Sequence, residues 1–358
     1  MVSSLIQSGS SNLSEWLVYV QSRAKQAQST ERRFSRWLKN ERIVDRGVVR
    51  GLWEVALVDW DRTQRISLVL DTSVLWDQYC LIRLALLYRG RAIPLDWEVI
   101  EHGSASVGFE RFEKLLQRVY EWLDRLGIKQ VLFLADRGFA DTQLMGRLRQ
   151  YGWNYRIRIK SCFGLYSPAG GLLCKAGEVV LAEDQAKYYH NVRLTKQLYG
   201  PVHVALANPS DSRETWFVVS DEPTSSESFV EYGSRFQIEG GFKDDKSGGF
   251  QLADSHLRDP RTLQRLLLVM AIATLFLVAQ GVHTTHQGLR QTVDPHYHRG
   301  LSYFRIGWNW ILKALSLHLA FLQSFALIPG PDPFPLSSSK PHPSDSLSGM
   351  AWAFRLSG

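Results

Sequence analysis

Four runs of β-branched and large apolar residues, Ile66–Leu70, Cys80–Tyr88, Arg91–Val99 and Val131–Ala135, punctuate the first half of the chain and predict strands. Arg89-Gly90 joins the second and third runs and suits a tight antiparallel hairpin. Over Phe109–Leu126 the apolar positions recur with a helical period instead. The order β-β-β-α-β predicts a mixed sheet with helices. From Tyr151 to about Pro209 the pattern changes to short segments (YRIRIK, EVVLA, VRLTKQ, VHVALA) separated by glycine and polar turns, which predicts an inserted β-rich subdomain. A further strand is expected at Thr215–Ser220, then a helix starting near Ser225 and long apolar helices around 261–280 and 302–326. The most apolar stretch, Leu266–Ala279, is shorter than the roughly 20 residues that cross a bilayer and is expected to be a buried helix, not a membrane span.

The ends of the chain depart from this alternation. Within RRFSRWLKNERIV, Phe34, Trp37 and Leu38 recur at helical spacing with arginines between them, an amphipathic helix with a basic face. Residues 21–50 carry nine basic side chains against three acidic ones, so most of the net charge of +7 sits there. Such a face suits either solvent or a polyanion, and the pI near 9.3 favours DNA or RNA as partner. Six prolines at or after Pro329, interspersed with serines, preclude a continuous helix or a central strand and predict a disordered tail. Composition adds little more: 45% hydrophobic and 22% charged residues describe a folded chain. Three cysteines without a CxxC pair exclude a disulfide framework and a zinc ribbon, and the N-terminus shows no signal-peptide pattern, so a cytoplasmic location is expected.

Three acids bear on chemistry. Asp71 ends or interrupts the run ISLVLD and Asp136 follows VLFLA, so each carboxylate is presented by an apolar strand. A single aspartate there would more often cap a turn. The third acid lies in the segment from Tyr232 to Lys246, where at about 100° per residue Tyr232, Arg235, Glu239 and Lys246 fall on one helical face. A solvent-facing ion-pair ladder explains the charges in that stripe but not the tyrosine. Gly240 and Gly241 suggest a close approach or a kink, while Asp77, Asp141, Asp244 and Asp245 read as polar bystanders. The histidines at 283, 286, 296 and 298 lack companions for a metal site, and there is neither a GxSxG elbow nor a GxxxxGK[ST] loop.

The spacing Y-(2)-R-(3)-E-(6)-K at Tyr232, Arg235, Glu239 and Lys246 resembles the hallmark of the IS4 family of bacterial insertion-sequence transposases. LDTS at the first acid, RGRAIPLDWEV after it, LADRGF at the second and WFVVSDEP before the helix resemble that family too, so the likeness covers roughly residues 30 to 325. It implies an α/β fold, a ribonuclease-H-like mixed sheet flanked by helices and interrupted by the β-rich insertion, with a helical C-terminal part. The expected division is a basic DNA-binding region at 1–60, catalytic core at 61–150, insertion at 151–210, core again at 211–326 and the tail at 327–358. Asp71, Asp136 and Glu239 are then the catalytic acids, holding two Mg²⁺ or Mn²⁺ ions. Tyr232, Arg235 and Lys246 would grip phosphates near the transposon end. The arginines Arg32, Arg33 and Arg36 would bind DNA, and Phe236 would stack on an unpaired base.

The implied activity is cut-and-paste transposition of double-stranded DNA through hairpin intermediates, by a dimer that joins two ends. Only about 65 residues precede the first catalytic strand, a short N-terminal region for recognising terminal repeats. A catalytically inactive relative that binds ends or partners, or a host nuclease of the same fold, are the alternatives.

Overall fold

A computed structural model of the chain describes residues 1–43, 45–210 and 214–336. Three N-terminal helices, α1 (Val2–Ser8), α2 (Ala27–Lys39) and α3 (Asp45–Ala56), precede a meander of β1 (Ile66–Leu75), β2 (Tyr79–Tyr88) and β3 (Arg91–Glu101). Then come α4 (Phe109–Arg125), β4 (Val131–Ala135), α5 (Thr142–Gln150) and β5 (Asn154–Arg158). The following strands are β6 (Gly164–Tyr166), β7 (Leu172–Lys175), β8 (Gln185–Leu194), β9 (Tyr199–Asn208) and β10 (Trp216–Ser220). Helices α6 (Ser226–Gly233), α7 (Gln237–Asp245), α8 (Pro260–His286) and α9 (Tyr303–Leu317) complete the order.

All ten strands form one sheet in the order β3-β2-β1-β4-β5-β10-β9-β8-β6-β7. The meander is antiparallel, whereas β4 lies parallel to both β1 and β5, as the helical crossovers α4 and α5 require. Every residue of β4 and β10 is buried, as is nearly every residue of β2, which means that both faces are covered. Helix α4 packs on β2 and β3, α7 reaches β1, β2 and β3, and α8 lies on β3 and α9. This is the mixed, helix-flanked sheet of a ribonuclease-H-like fold.

Several boundaries differ from the pattern reading for identifiable reasons. Strand β1 continues past Asp71 to Leu75 because β2 still pairs with it there, Asp71 lying opposite Arg83. The segment YRIRIK is not confined to an insertion, since β5 pairs with β4, and β10 returns to join β5 to β9 so that the later strands extend the same sheet. EVVLA makes no strand: Ala176–Glu178 closes a 3-10 turn and Val180 is exposed, a β-prone run without a partner edge. Helix α9 stops at Leu317 on a left-handed His318 cap, and Leu319 donates back to the Ala314 carbonyl. The chain beyond it is held to α8 by Gln280, whose side chain bonds both backbone groups of Leu322.

Helix α8 is the one helix among the described residues long and apolar enough to cross a membrane, and it is largely buried as the core helix. Of the proline-rich segment, Leu327 is buried and donates to the Ala56 carbonyl, and Asp332 pairs with Arg299; residues 337–358 lie outside the described residues.

Candidate active site

The parallel pairing of β1 with β4 ends at Leu70 opposite Ala135, so the next residues, Asp71 within β1 and Asp136 just past β4, lie side by side. Adjacent strands lie about 4.8 Å apart, which brings the two carboxylates into one electrostatic neighbourhood. Asp136 also caps the 3-10 turn Arg137–Phe139, accepting from the Arg137 N–H at 2.6 Å. The cap role and the site role are therefore both present. Asp71 accepts from the Thr72 N–H at 2.8 Å. Burial pushes its carboxyl up to about 6, against the pull of the Arg235 guanidinium and with Asp136 and Glu239 adding to the rise.

The segment that carries the other expected residues is not one straight helix. Tyr232 ends α6, Arg235 sits in a 3-10 turn at Ser234–Phe236, Glu239 opens α7 and Lys246 follows its last residue. The tighter turn draws Arg235 inward. Its Nη1 donates to Asp71 Oδ2 at 3.1 Å and its Nη2 to Glu239 Oε1 at 3.4 Å, joining the helix acid to the strand acid through one guanidinium. Burial works against that charge, but Tyr232, Asp71, Asp136 and Glu239 outweigh it and hold the pKa above the ordinary arginine value. Arg235 has 6% side-chain exposure against 60% for Glu239, so the glutamate is the member of the pair free to reorient.

The remaining residues divide between this centre and its rim. Tyr232 is fully buried against Trp216, with its hydroxyl beside Arg235 and no other hydrogen-bonding neighbour; burial pushes the phenol up to about 12 against the pull of that guanidinium. Phe236 packs on Trp216 at 5.8 Å and lies under the Arg235 guanidinium at 4.5 Å, so its ring is engaged by the protein. Lys246 donates to the Val74 carbonyl at 3.1 Å, on the wall of a groove of about 430 Å³ shared with Trp76 and Gln251. Arg32, Arg33 and Arg36 are exposed on α2, whose Phe34 and Leu38 face inward, and no described contact ties them to the acids.

Several residues that pattern reading passed over or set aside also matter. Arg158 ends β5 one position beyond the pairing of Ile157 with Ala135, hence level with Asp136. It shares Glu214 with Arg137, the residue after Asp136, at 2.7 and 3.3 Å. Asp244 and Asp245 are no bystanders: both are buried, Asp245 paired with Arg83 of β2 and Asp244 with Arg91 of β3 at 3.2 Å. Cross-strand partners project from the same face, so Arg83 stands beside Asp71 under α7. The glycines explain the intimacy of that contact, because a Cβ on Gly241 would lie 3.2 Å from the Ala92 carbonyl oxygen and one on Gly240 2.7 Å from Arg91 Nη1.

The donor chemistry suits a hard divalent cation, since three carboxylates offer oxygen ligands only. In the arrangement described here a guanidinium supplies the positive charge between Asp71 and Glu239, and among the described residues no group of three or more His, Cys, Asp or Glu side chains stands together as a ready metal site.

Sheet order and acids together define a ribonuclease-H-like α/β protein with a carboxylate centre where its parallel strands end. Residues 110–276 match the family model described as the transposase DDE domain. The likeness is to a transposase DDE domain and covers a little under half of the chain. It spans Asp136, Arg158 and the whole stretch from Tyr232 to Lys246, while Asp71 lies ahead of it and joins through strand register. No curated protein matches the chain significantly.

Proposed function

We propose that this chain moves an insertion sequence of the IS4 type by cut-and-paste transposition, cleaving the transposon ends through hairpin intermediates and joining the 3′ ends to target DNA. The observation that carries the reading is the register that sets Asp71 of β1 beside Asp136 just past β4, while Arg235 ties Glu239 to Asp71. In this reading the three acids hold two Mg²⁺ or Mn²⁺ ions, which supply charge stabilisation on the attacking and leaving oxygens of an in-line displacement. Arg235 and Lys246 bind the phosphates flanking the scissile bond, the guanidinium in bidentate fashion and the ammonium as a point charge. The Tyr232 hydroxyl, with no hydrogen-bonding neighbour but Arg235, supports a place for a phosphate oxygen beside that guanidinium. Arg158 and Arg137 offer further cationic contacts next to Asp136. The exposed arginines of α2 track the duplex outside the site, and a dimer brings two ends together in the cytoplasm.

The test is incubation of the protein with Mg²⁺ and DNA carrying the element's own ends. Nicks and then hairpins are expected from the wild type and neither from Asp136→Asn, with DNA binding retained. The guanidinium seated between Asp71 and Glu239 favours one other reading, a relative that binds ends without cutting them. That reading prevails if the wild type binds the ends but cleaves no better than Asp136→Asn.

A further inference from the structure

Arg235 is placed where a metal ion belongs. Its two terminal nitrogens engage Asp71 Oδ2 and Glu239 Oε1, two oxygens that an ion held by these acids would require. A guanidinium and a divalent ion at contact distance repel one another, so they compete for the same carboxylates. Two further observations indicate where the guanidinium goes when it leaves. Arg235 Nε and the Tyr232 hydroxyl are buried, at 5% and 0% residue exposure, and have no hydrogen-bonding neighbour beyond each other. A hydroxyl and a guanidinium N–H that can satisfy only one another leave a donor for an external acceptor rich in oxygen. The Phe236 ring lies 4.5 Å from the guanidinium carbon and provides an apolar face along which it can turn. Glu239, well exposed, can leave the pair at little cost.

We propose that Arg235 keeps the acidic site closed to divalent ions until a DNA phosphate takes its guanidinium. DNA binding then precedes tight metal binding, and the released carboxylates become ligands only when a substrate phosphate is at hand. Phosphate and metal are coupled through one side chain, so each raises the other's affinity by the same factor. The inference rests on the reading of a metal-dependent DNA enzyme and adds the order in which its ligands assemble.

Mn²⁺ binding to the full-length protein, followed by the electron paramagnetic resonance of the free ion, tests this without any turnover. For the wild type alone weak binding is expected, strengthened at least tenfold by a saturating short DNA duplex. Arg235→Gln is expected to bind Mn²⁺ at least tenfold more tightly than the wild type without DNA, and Arg235→Lys, which retains the charge, to remain close to wild type. Adding Asp71→Asn to Arg235→Gln should abolish the gain, locating the ion at this centre. Because an ion that binds only the folded protein stabilises it in proportion to its affinity, Mn²⁺ should raise the melting temperature of Arg235→Gln more than that of the wild type. Should Arg235→Gln fail to fold, the wild-type comparison with and without duplex decides alone. Equal, Asp71-dependent affinity in the wild type with and without DNA overturns the proposed order and leaves the enzyme reading standing. No Mn²⁺ binding in any form, with or without DNA, overturns the metal-dependent reading itself.

Discussion

Tyr232 illustrates how a side chain acquires a role from what surrounds it. Helical periodicity aligns it with three charged residues, yet its ring is fully buried beside Trp216, and only the hydroxyl faces the charged centre, without an acceptor. Tyr232→Phe therefore removes at most the contact of the hydroxyl with Arg235, and unfolding in urea is expected to shift by less than about 1 kcal/mol. If the hydroxyl meets a DNA phosphate, end cleavage slows by roughly tenfold, the equivalent of one such bond. A stability loss above a kilocalorie with an unchanged cleavage rate would mean that its partner lies inside the protein. The three candidate acids stand out in the sequence because each follows an apolar run or falls in a helical stripe. Arg158 and Arg83 were not, since an arginine within a strand run gives no hint of a carboxylate partner 56 or 162 residues away.

At the scale of elements, α7 matters because it carries Glu239, and what fixes α7 lies beneath it. Two buried ion pairs and two glycines seat the helix on β2 and β3, and Arg83 also lies 4.8 Å from the Phe242 ring. One of these pairs has a pH signature. Burial raises Asp244 from 3.8 to about 6, with Arg91 opposing the rise and Asp245 adding to it. Because the folded-state value lies above the unfolded one, the protonated carboxyl contributes stability below about pH 4, and this contribution is lost as the pH rises to about 6. Asparagine imitates the protonated form, so the stability of Asp244→Asn relative to the wild type should rise by on the order of 2–3 kcal/mol between pH 4 and pH 7. Urea unfolding of both proteins across that range measures the difference, and a difference that is constant with pH would contradict the burial argument. Sequence read the strands of the meander well because their patterns are local. It misread where α9 ends, since a left-handed histidine cap leaves no periodic trace.

Over the whole molecule the least legible feature is the continuity of the sheet: β10 arrives from Trp216–Ser220 to bridge β5 and β9, and no local pattern announces a pairing over that distance. Charge is the opposite case, since its uneven distribution can be read directly from the chain. Helix α2 turns Phe34 and Leu38 inward, with Phe34 against Trp16 at 5.5 Å and the Leu38 carbonyl accepting from Arg265 at 2.8 Å, and this docking leaves Arg32, Arg33 and Arg36 in solvent. Their positions follow from burial of the apolar stripe and need no partner to explain them, so a functional role has to be read from ionic behaviour. Each phosphate neutralised on duplex DNA contributes about −0.9 to the slope of log affinity against log salt. Replacing all three by alanine is expected to weaken DNA binding and to make that slope shallower by up to about 2.7, while the melting temperature stays within a degree or two because the side chains are exposed. Binding isotherms at four or five salt concentrations separate the cases. An unchanged slope would return the helix to a solvated face and assign DNA affinity to the arginines and lysine around the acids, whereas a shallower slope with normal cleavage at low salt would make α2 an electrostatic guide that holds duplex outside the site.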